Sequence, residues 1–222
     1  MEYSAFVHEL YALREEKFAL FQEKIIRPRA LKIIGVRTPE LRKLVKKYRG
    51  ETDALFSFPD EYYETVFVRL NVAALLPYTE FLSRMDACVH SIENWALCDT
   101  FKPRCLERHT DDFLPYIGKY LLGGEFSQRF SLVTLLSFYM KEEYLPVIFD
   151  ALQRCDTAFY YTHMGAAWLL AEVLVKFYEE GKTFLQKNLL DVRTHNKAIQ
   201  KARESFRLTA AQKEQLSGLK RR

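Results

Sequence analysis

Apolar residues recur at helical spacing along most of the chain, and no segment shows the strict alternation of a half-buried β-strand. Between Tyr3 and Glu23, the apolar face of such a helix consists of Phe6, Leu10, Leu13, Phe18 and Phe21. The 222 residues include only 8 Gly and 7 Pro, too few for the many tight turns of an all-β protein. The pattern therefore predicts an all-α protein.

Capping and helix-breaking residues divide the chain into about a dozen predicted helices. Thr38 is predicted as an N-cap, with Pro39 at the first helical position. Pro103 should break the helix predicted for residues 92–107, and Thr209 with Gln212 has the spacing of a capping box. The predicted helices cover residues 3–23, 38–48, 57–77, 79–90, 92–107, 110–122, 125–140, 142–153, 157–178, 182–190, 194–205 and 209–219.

Successive predicted helices are joined by short turns, so they should pair as antiparallel hairpins. The pairs recur roughly every 35–40 residues, close to the period of HEAT and armadillo arrays, although no sequence repeat is legible. We therefore expect an α-solenoid of about six HEAT-like antiparallel helix pairs with a concave face, forming a single domain over residues 1–222. An irregular helical bundle is the alternative.

Positive charge is concentrated at the two ends of the chain. Residues 24–49 contain ten Lys or Arg and one acid, and residues 193–222 contain nine and two. Residues 50–192 carry twelve Lys or Arg against twenty-one Asp or Glu. Two basic ends would suit a polyanionic partner gripped from both sides. The alternative is that these basic helices are ordinary solvated faces.

Cysteine usage and hydropathy indicate a soluble protein of the cytoplasm. The four cysteines form no CxxC pair and no ligand-like spacing with the five histidines, so we expect reduced thiols and no structural zinc. The first residues have neither a basic nor an apolar leader region, so no signal peptide is expected. No apolar run approaches the ~20 residues needed to cross a bilayer. The default oligomeric state is an elongated monomer.

Trp95 and Asp99 are the first candidate site residues, because residues four apart share one face of a helix. Alone the pair is weak, since most Trp residues serve packing. Trp168 follows the small residues 165–167, and periodicity alone favours a core position for it. Arg129 reads by itself as an ordinary exposed arginine. No Gly-rich phosphate loop, nucleophile elbow or HExxH motif is present.

Two signatures near the chain ends resemble those of the AlkD-like DNA alkylation repair proteins. Gly35-Val36-Arg37-Thr38-Pro39-Glu40-Leu41-Arg42 resembles the family's N-terminal motif, and residues 196–205 (NKAIQKARES) resemble its C-terminal segment. Between these, the family has a Trp and an Asp four apart, then an Arg and a second Trp. Trp95, Asp99, Arg129 and Trp168 match that series in order and approximate spacing. The resemblance covers the chain from about Phe18 onward.

The resemblance implies a HEAT-like repeat fold and a DNA glycosylase that excises N3- and N7-alkylated purines from duplex DNA without burying the base in a pocket. Asp99 would be the catalytic carboxylate, Trp95 and Trp168 would contact the deoxyribose of the lesion, and Arg129 would hold the nearby backbone. No cofactor or metal is implied. Further contacts to the DNA backbone are expected from Arg37, Thr38, Arg42, Lys46, Lys197, Lys201 and Arg203.

These residue types suit the reaction. An N3- or N7-alkylated purine is cationic and therefore already an activated leaving group. Bond cleavage builds oxocarbenium character on the sugar, which a carboxylate can stabilise while it positions water. The electron-rich faces of Trp95 and Trp168 favour the same positive charge. The planar fork of Arg129 can donate two hydrogen bonds to one phosphate.

Three positions depart from the pattern common in the family. Ala96 stands where many members have Asp, Ala171 where many have Arg, and Met164 where a Lys is common nearby. We therefore expect two backbone contacts fewer than in those members. Two alternatives to a glycosylase remain: a non-catalytic HEAT-repeat protein that binds DNA structures or damage, and a protein-interaction scaffold.

Overall fold

A computed structural model describes residues 1–222 and contains fourteen α-helices. The predicted all-α class is confirmed, since the only β feature is an isolated bridge between Lys32 and Tyr62. Two 3₁₀ helices cover Arg104–Arg108 and Glu142–Tyr144. The α-helices are α1 (Tyr3–Ala12), α2 (Glu16–Ile26), α3 (Thr38–Lys47), α4 (Thr52–Ser57), α5 (Tyr63–Ala73), α6 (Tyr78–His90), α7 (Trp95–Thr100), α8 (Thr110–Leu121), α9 (Glu125–Phe138), α10 (Leu145–Arg154), α11 (Tyr160–Lys176), α12 (Tyr178–Gln186), α13 (Val192–Glu204) and α14 (Ala210–Gly218).

The chain divides into two compact units, residues 1–109 and residues 110–222. Within each unit, helices pack on the next helix and also on the next but one, as in α3 on α5, α9 on α11 and α11 on α13. Such packing is what stacked helical repeats require. The six antiparallel pairs, the concave face and the single domain over 1–222 stay predictions.

In the first unit, α5 is the central helix. All of its residues are buried except Asn71, which is partly exposed, and it contacts α3, α4, α6 and α7. A helix that is buried on all sides needs neighbours all round to remove its side chains from water. Helices α3 and α7 are therefore positioned against the same core helix.

In the second unit, α11 lies between α9 and α13. Gly165, Ala166 and Ala167 are buried on it, and their small size lets the neighbouring helices approach closely. None of the α-helices combines the length with the apolar character needed to cross a membrane.

The helix predicted for residues 3–23 is wrong, because two helices occupy this segment. The chain leaves helical geometry after Ala12, and α2 begins only at Glu16. The backbone N–H of Glu15 donates to the carbonyl oxygen of Gly35 at 3.0 Å instead of continuing a helix. Phe21, predicted on the apolar face, is 56% exposed. A contact between distant parts of the chain thus overrides a continuous helical pattern.

Two further boundaries differ from the sequence predictions. The helix predicted to begin at Ser57 begins at Tyr63, and α4 ends at Ser57. Thr38 is the first residue of α3 rather than its N-cap, and no side chain caps this helix. Local patterns place helix ends only to within a few residues.

Two predictions at helix ends are confirmed. The helix that carries Trp95 ends at Thr100, and the chain resumes after Pro103 as a 3₁₀ helix, so this proline marks the break. Thr209 and Gln212 form the predicted capping box at the start of α14.

Candidate functional site

The short helix α7 presents the candidate catalytic pair. Asn94 is its N-cap, and the side-chain oxygen accepts a hydrogen bond from the backbone N–H of Leu97 at 3.0 Å. The apolar residues 96–98 are buried, which leaves Trp95 and Asp99 half-buried on the accessible side. The two side chains are four residues apart and therefore project from the same face, as predicted.

Two sets of contacts fix α7 and the residue before its N-cap against the end of α2 and the segment that follows it. The indole N–H of Trp95 donates to the carbonyl oxygen of Ile25 at 3.2 Å. The carboxylate of Glu93 accepts hydrogen bonds from the backbone N–H groups of residues 29, 30 and 31 at 3.1, 2.7 and 3.3 Å. Charged acceptors make strong hydrogen bonds to backbone donors, so the entry to α7 is held firmly in place.

A pocket of about 260 Å³ lies beside the pair, and we call it the aromatic pocket. Thr38, Trp95 and Asp99, all predicted site residues, line it together. Its remaining walls come from α2, α5 and α7: Phe18, Phe21, Gln22, Ile25, Ile26, Tyr63, Phe67, Ala96 and Thr100. A carboxylate beside several aromatic faces suits a substrate that develops positive charge.

The aromatic pocket contains a polar group that the sequence did not indicate. Gln22 is 8% exposed, and its side-chain oxygen has no hydrogen-bond partner. Its position among other polar residues of α2 gave no reason to single it out.

Arg37, a predicted DNA contact, is engaged within the protein. Its guanidinium donates two hydrogen bonds to the carboxylate of Glu15, at 2.7 and 2.8 Å, and stacks 4.7 Å from the ring centre of Phe18. The hydrogen bonds from Arg37 lower the pKa of the Glu15 carboxyl, and those to Glu15 raise the pKa of Arg37. Arg42 and Lys46, by contrast, are exposed on α3 and make no ion pair.

In the second unit, Arg129 is buried on α9, with 6% of its surface exposed. The interpretation of an ordinary exposed arginine is therefore wrong. One guanidinium nitrogen donates to the carbonyl oxygen of Tyr161 at 2.9 Å. The carboxylate of Glu125, one turn earlier, accepts from the backbone N–H of Tyr161 at 2.6 Å. Both charged groups thus hold the first turn of α11 against α9.

Trp168 is also on α11, and it is half-buried although periodicity alone favoured the core. Its neighbours in sequence, Ala167 and Leu169, are fully buried, so the indole lies at the edge of the packed face. Part of the side chain is left accessible, as a residue that contacts a substrate requires.

The basic residues of the C-terminal signature lie on α13. Lys197 and Lys201 are four residues apart on one face and are half-buried, and Lys197 donates to the side chain of Gln200 at 3.1 Å. Arg203 is exposed two residues beyond Lys201, so it projects from a different side of the helix. These three cations do not form one continuous stripe.

A metal centre finds no support in the structure, because no three His, Cys, Asp or Glu side chains lie close enough together to hold an ion. The four cysteines form no disulfide bond, and Cys88, Cys98 and Cys155 are buried.

Comparison with known proteins identifies the family. The sequence model of the DNA alkylation repair enzyme family matches residues 6–208, which includes almost all of both units. No curated protein is similar enough to be matched to the chain. The resemblance carried by the two end signatures and by Trp95, Asp99, Arg129 and Trp168 is thereby confirmed at the level of the family. The chain belongs to the AlkD-like family of DNA alkylation repair enzymes.

Proposed function

We propose that this protein is a DNA glycosylase that hydrolyses the N-glycosidic bond of cationic N3- and N7-alkylated purines in duplex DNA. One observation carries the proposal: in a member of a DNA alkylation repair family, Trp95 and Asp99 share an aromatic pocket on one helix. Arg129 and Trp168 are assigned by resemblance as the residues of the second unit that contact the backbone and the sugar. The substrate is double-stranded DNA, and the protein acts as a monomer without metal or cofactor.

The proposed reaction needs only a carboxylate and water. The bond between C1′ and the purine nitrogen breaks, and its electron pair neutralises the cationic base, which leaves. Positive charge develops on the sugar, where the carboxylate of Asp99 and the face of Trp95 stabilise it. Water then adds to C1′ and gives up one proton, for which Asp99 is the acceptor. The products are the free base and an abasic site.

The proposed reaction does not bury the base, as the resemblance to the family implies. Trp95 and Asp99 would act at the deoxyribose of the lesion. The mechanism would therefore differ from that of glycosylases that flip their target into a pocket.

The test is release of free 7-methylguanine from a methylated duplex. Wild type should release the base, Asp99→Asn should lose release by at least about 100-fold while still binding duplex, and Asp150→Asn should match wild type. Asp150 is the control because it is exposed on α10, where it pairs with Arg154. A fully active Asp99→Asn variant would contradict the proposed role of Asp99 as the catalytic carboxylate.

The remaining outcomes separate the alternatives. Duplex binding that weakens as salt rises, with no release by wild type, would indicate a non-catalytic DNA-binding protein. Absence of both release and binding would leave the interaction scaffold.

A further inference from the structure

The cations on α3 and just beyond its end fall into two groups. Lys43 pairs with Glu40 at 2.8 Å, and Lys47 pairs with Glu9 at 2.7 Å. The others make no ion pair: they are Arg42, Lys46 and Arg49. Arg42 and Lys46 are four residues apart and share one face of α3, and Arg49 lies two residues beyond its end.

The unpaired group lines a pocket of about 490 Å³ together with two cations from another part of the chain, Lys102 and Arg104. These two flank Pro103, and the backbone N–H of Arg104 donates to the carbonyl oxygen of Ala74 at 3.0 Å, which fixes the segment against the end of α5. No acidic residue lines this pocket. We call it the phosphate cleft; its other lining residues are Val45, Asn71, Ala74, Leu75 and Thr100.

Five cations around one pocket repel each other, and Arg42 and Lys46 stand at the four-residue spacing at which like charges destabilise a helix. Within the protein this arrangement has no compensation, because none of the five has a carboxylate partner. Clefts lined by one sign of charge focus the electrostatic potential and attract counter-ions. The cleft is therefore built for an anion with several negative charges.

The phosphate cleft adjoins the aromatic pocket. Thr100 lines both, and Asp99 lies immediately before it. An anion held in the cleft would thus sit next to the candidate catalytic carboxylate. Because one phosphodiester carries a single negative charge, five cations match more than one phosphate group.

We propose that the phosphate cleft binds consecutive phosphates of the DNA strand that carries the alkylated base, and that Lys102 and Arg104 are DNA-binding residues. This inference rests on the proposed glycosylase function, since it places the bound strand beside Asp99. Lys102 and Arg104 take the place of Arg37 among the expected backbone contacts, because the Arg37 guanidinium already donates two hydrogen bonds to Glu15. Neither Lys102 nor Arg104 belongs to a recognised sequence signature.

The first experiment measures binding of a methylated duplex over a range of salt concentrations. Each lost phosphate contact lowers the slope of log K against log salt by about 0.9, so Lys102→Gln/Arg104→Gln should lower it by about 1.8. Lys43→Gln/Lys47→Gln is the control, since it removes the same charge from ion-paired lysines of α3. The control should keep the wild-type slope. Equal slopes for the cleft variant and wild type would overturn the inference.

A second experiment identifies the phosphates. A duplex in which one phosphate at a time is replaced by a neutral methylphosphonate should lose affinity for wild type at two adjacent positions next to the lesion. The same substitutions should have a smaller effect on Lys102→Gln/Arg104→Gln, because two of the five cations that contact these phosphates are already gone. If no position shows this coupling, the cleft does not bind the strand.

Two controls separate the cleft assignment from the glycosylase proposal and from binding of a free phosphorylated ligand. Release of 7-methylguanine by wild type, with unchanged duplex binding by the cleft variant, would overturn the cleft assignment and leave the glycosylase intact. Absence of release by wild type, with a salt slope that Lys102→Gln/Arg104→Gln still lowers, would overturn the glycosylase and leave the cleft as a DNA-binding site. The second control measures thermal stabilisation by pyrophosphate. If pyrophosphate stabilises wild type but not Lys102→Gln/Arg104→Gln, and this variant binds duplex normally, the cleft binds a free phosphorylated ligand and the DNA assignment is overturned.

Discussion

The indole N–H of Trp95 donates a hydrogen bond to the carbonyl oxygen of Ile25 at 3.2 Å, across 70 positions of sequence. Ile25 is in the last turn of α2, where the next helical donors are missing and carbonyl groups need outside partners. Trp95 thus serves two purposes: it offers a ring face to the aromatic pocket and joins α7 to α2.

Trp95→Phe should separate these two purposes, because phenylalanine keeps an aromatic face and lacks the N–H. We expect the free energy of unfolding to fall by about 1 kcal/mol, measured by urea denaturation. Trp168→Phe is the matched control, since no hydrogen bond of the Trp168 indole to the protein is present, and it should cost less. Equal losses for the two variants would show that ring size, not the hydrogen bond to Ile25, determines the effect.

Gln22→Met should stabilise the protein. The buried side-chain oxygen of Gln22 has no partner, and an unpaired buried polar group costs about 1–3 kcal/mol. Methionine has similar length and adapts to irregular space, so we expect a gain of about 1 kcal/mol in thermal or chemical denaturation. Gln153→Met, at an exposed glutamine that donates to the carbonyl of Phe149 at 3.0 Å, should give no gain. A destabilised Gln22→Met would contradict this account.

Gly35→Ala should be strongly destabilising. The same conformational requirement explains why the N-terminal signature begins with glycine. Gly35 has φ +97, and an added Cβ would lie 2.7 Å from both the Cβ of Ala19 and the carbonyl oxygen of Glu15. We expect a loss of at least about 2 kcal/mol in the free energy of unfolding. Gly118→Ala, inside α8 with open space around it, should instead gain up to about 1 kcal/mol. The opposite signs make the pair of variants a direct test by differential scanning calorimetry.

Stability should fall as the pH falls below about 6.5, the pKa of an unperturbed histidine. His163 is 5% exposed, and burial together with nearby Arg193 lowers its pKa. Below pH 6.5 this histidine therefore binds a proton more readily in the unfolded chain than in the folded protein, and the lower pH favours unfolding. Urea midpoints at pH 7.5 and 5.5 should differ less in His163→Gln than in wild type. His8→Gln, at an exposed histidine, should keep the full wild-type difference.

His163→Gln will not abolish the pH effect completely. His195 is also buried, at 1% exposed, and burial lowers its pKa as well. An unchanged pH dependence in His163→Gln would show that this histidine is not the source.

The sequence by itself determined the helical class, the family, and several local features. The break at Pro103 and the capping box of Thr209 and Gln212 depend on residues close together in the chain, so local rules suffice for them. The pairing of Trp95 with Asp99 is equally local, because a four-residue spacing on any helix produces it.

Only the tertiary structure decided which side chains are free to act. Arg37 and Arg42 look equivalent in sequence, yet Glu15, twenty-two positions away from Arg37, occupies one guanidinium and leaves the other to the phosphate cleft. Arg129 is buried because α9 packs against α11, where the carbonyl oxygen of Tyr161 accepts its hydrogen bond. Periodicity shows which face of a helix is apolar, but the partner that covers that face or pairs with a charge is chosen by packing between distant segments. The physical reason is that burial and ion pairing depend on proximity in space, which local sequence does not encode.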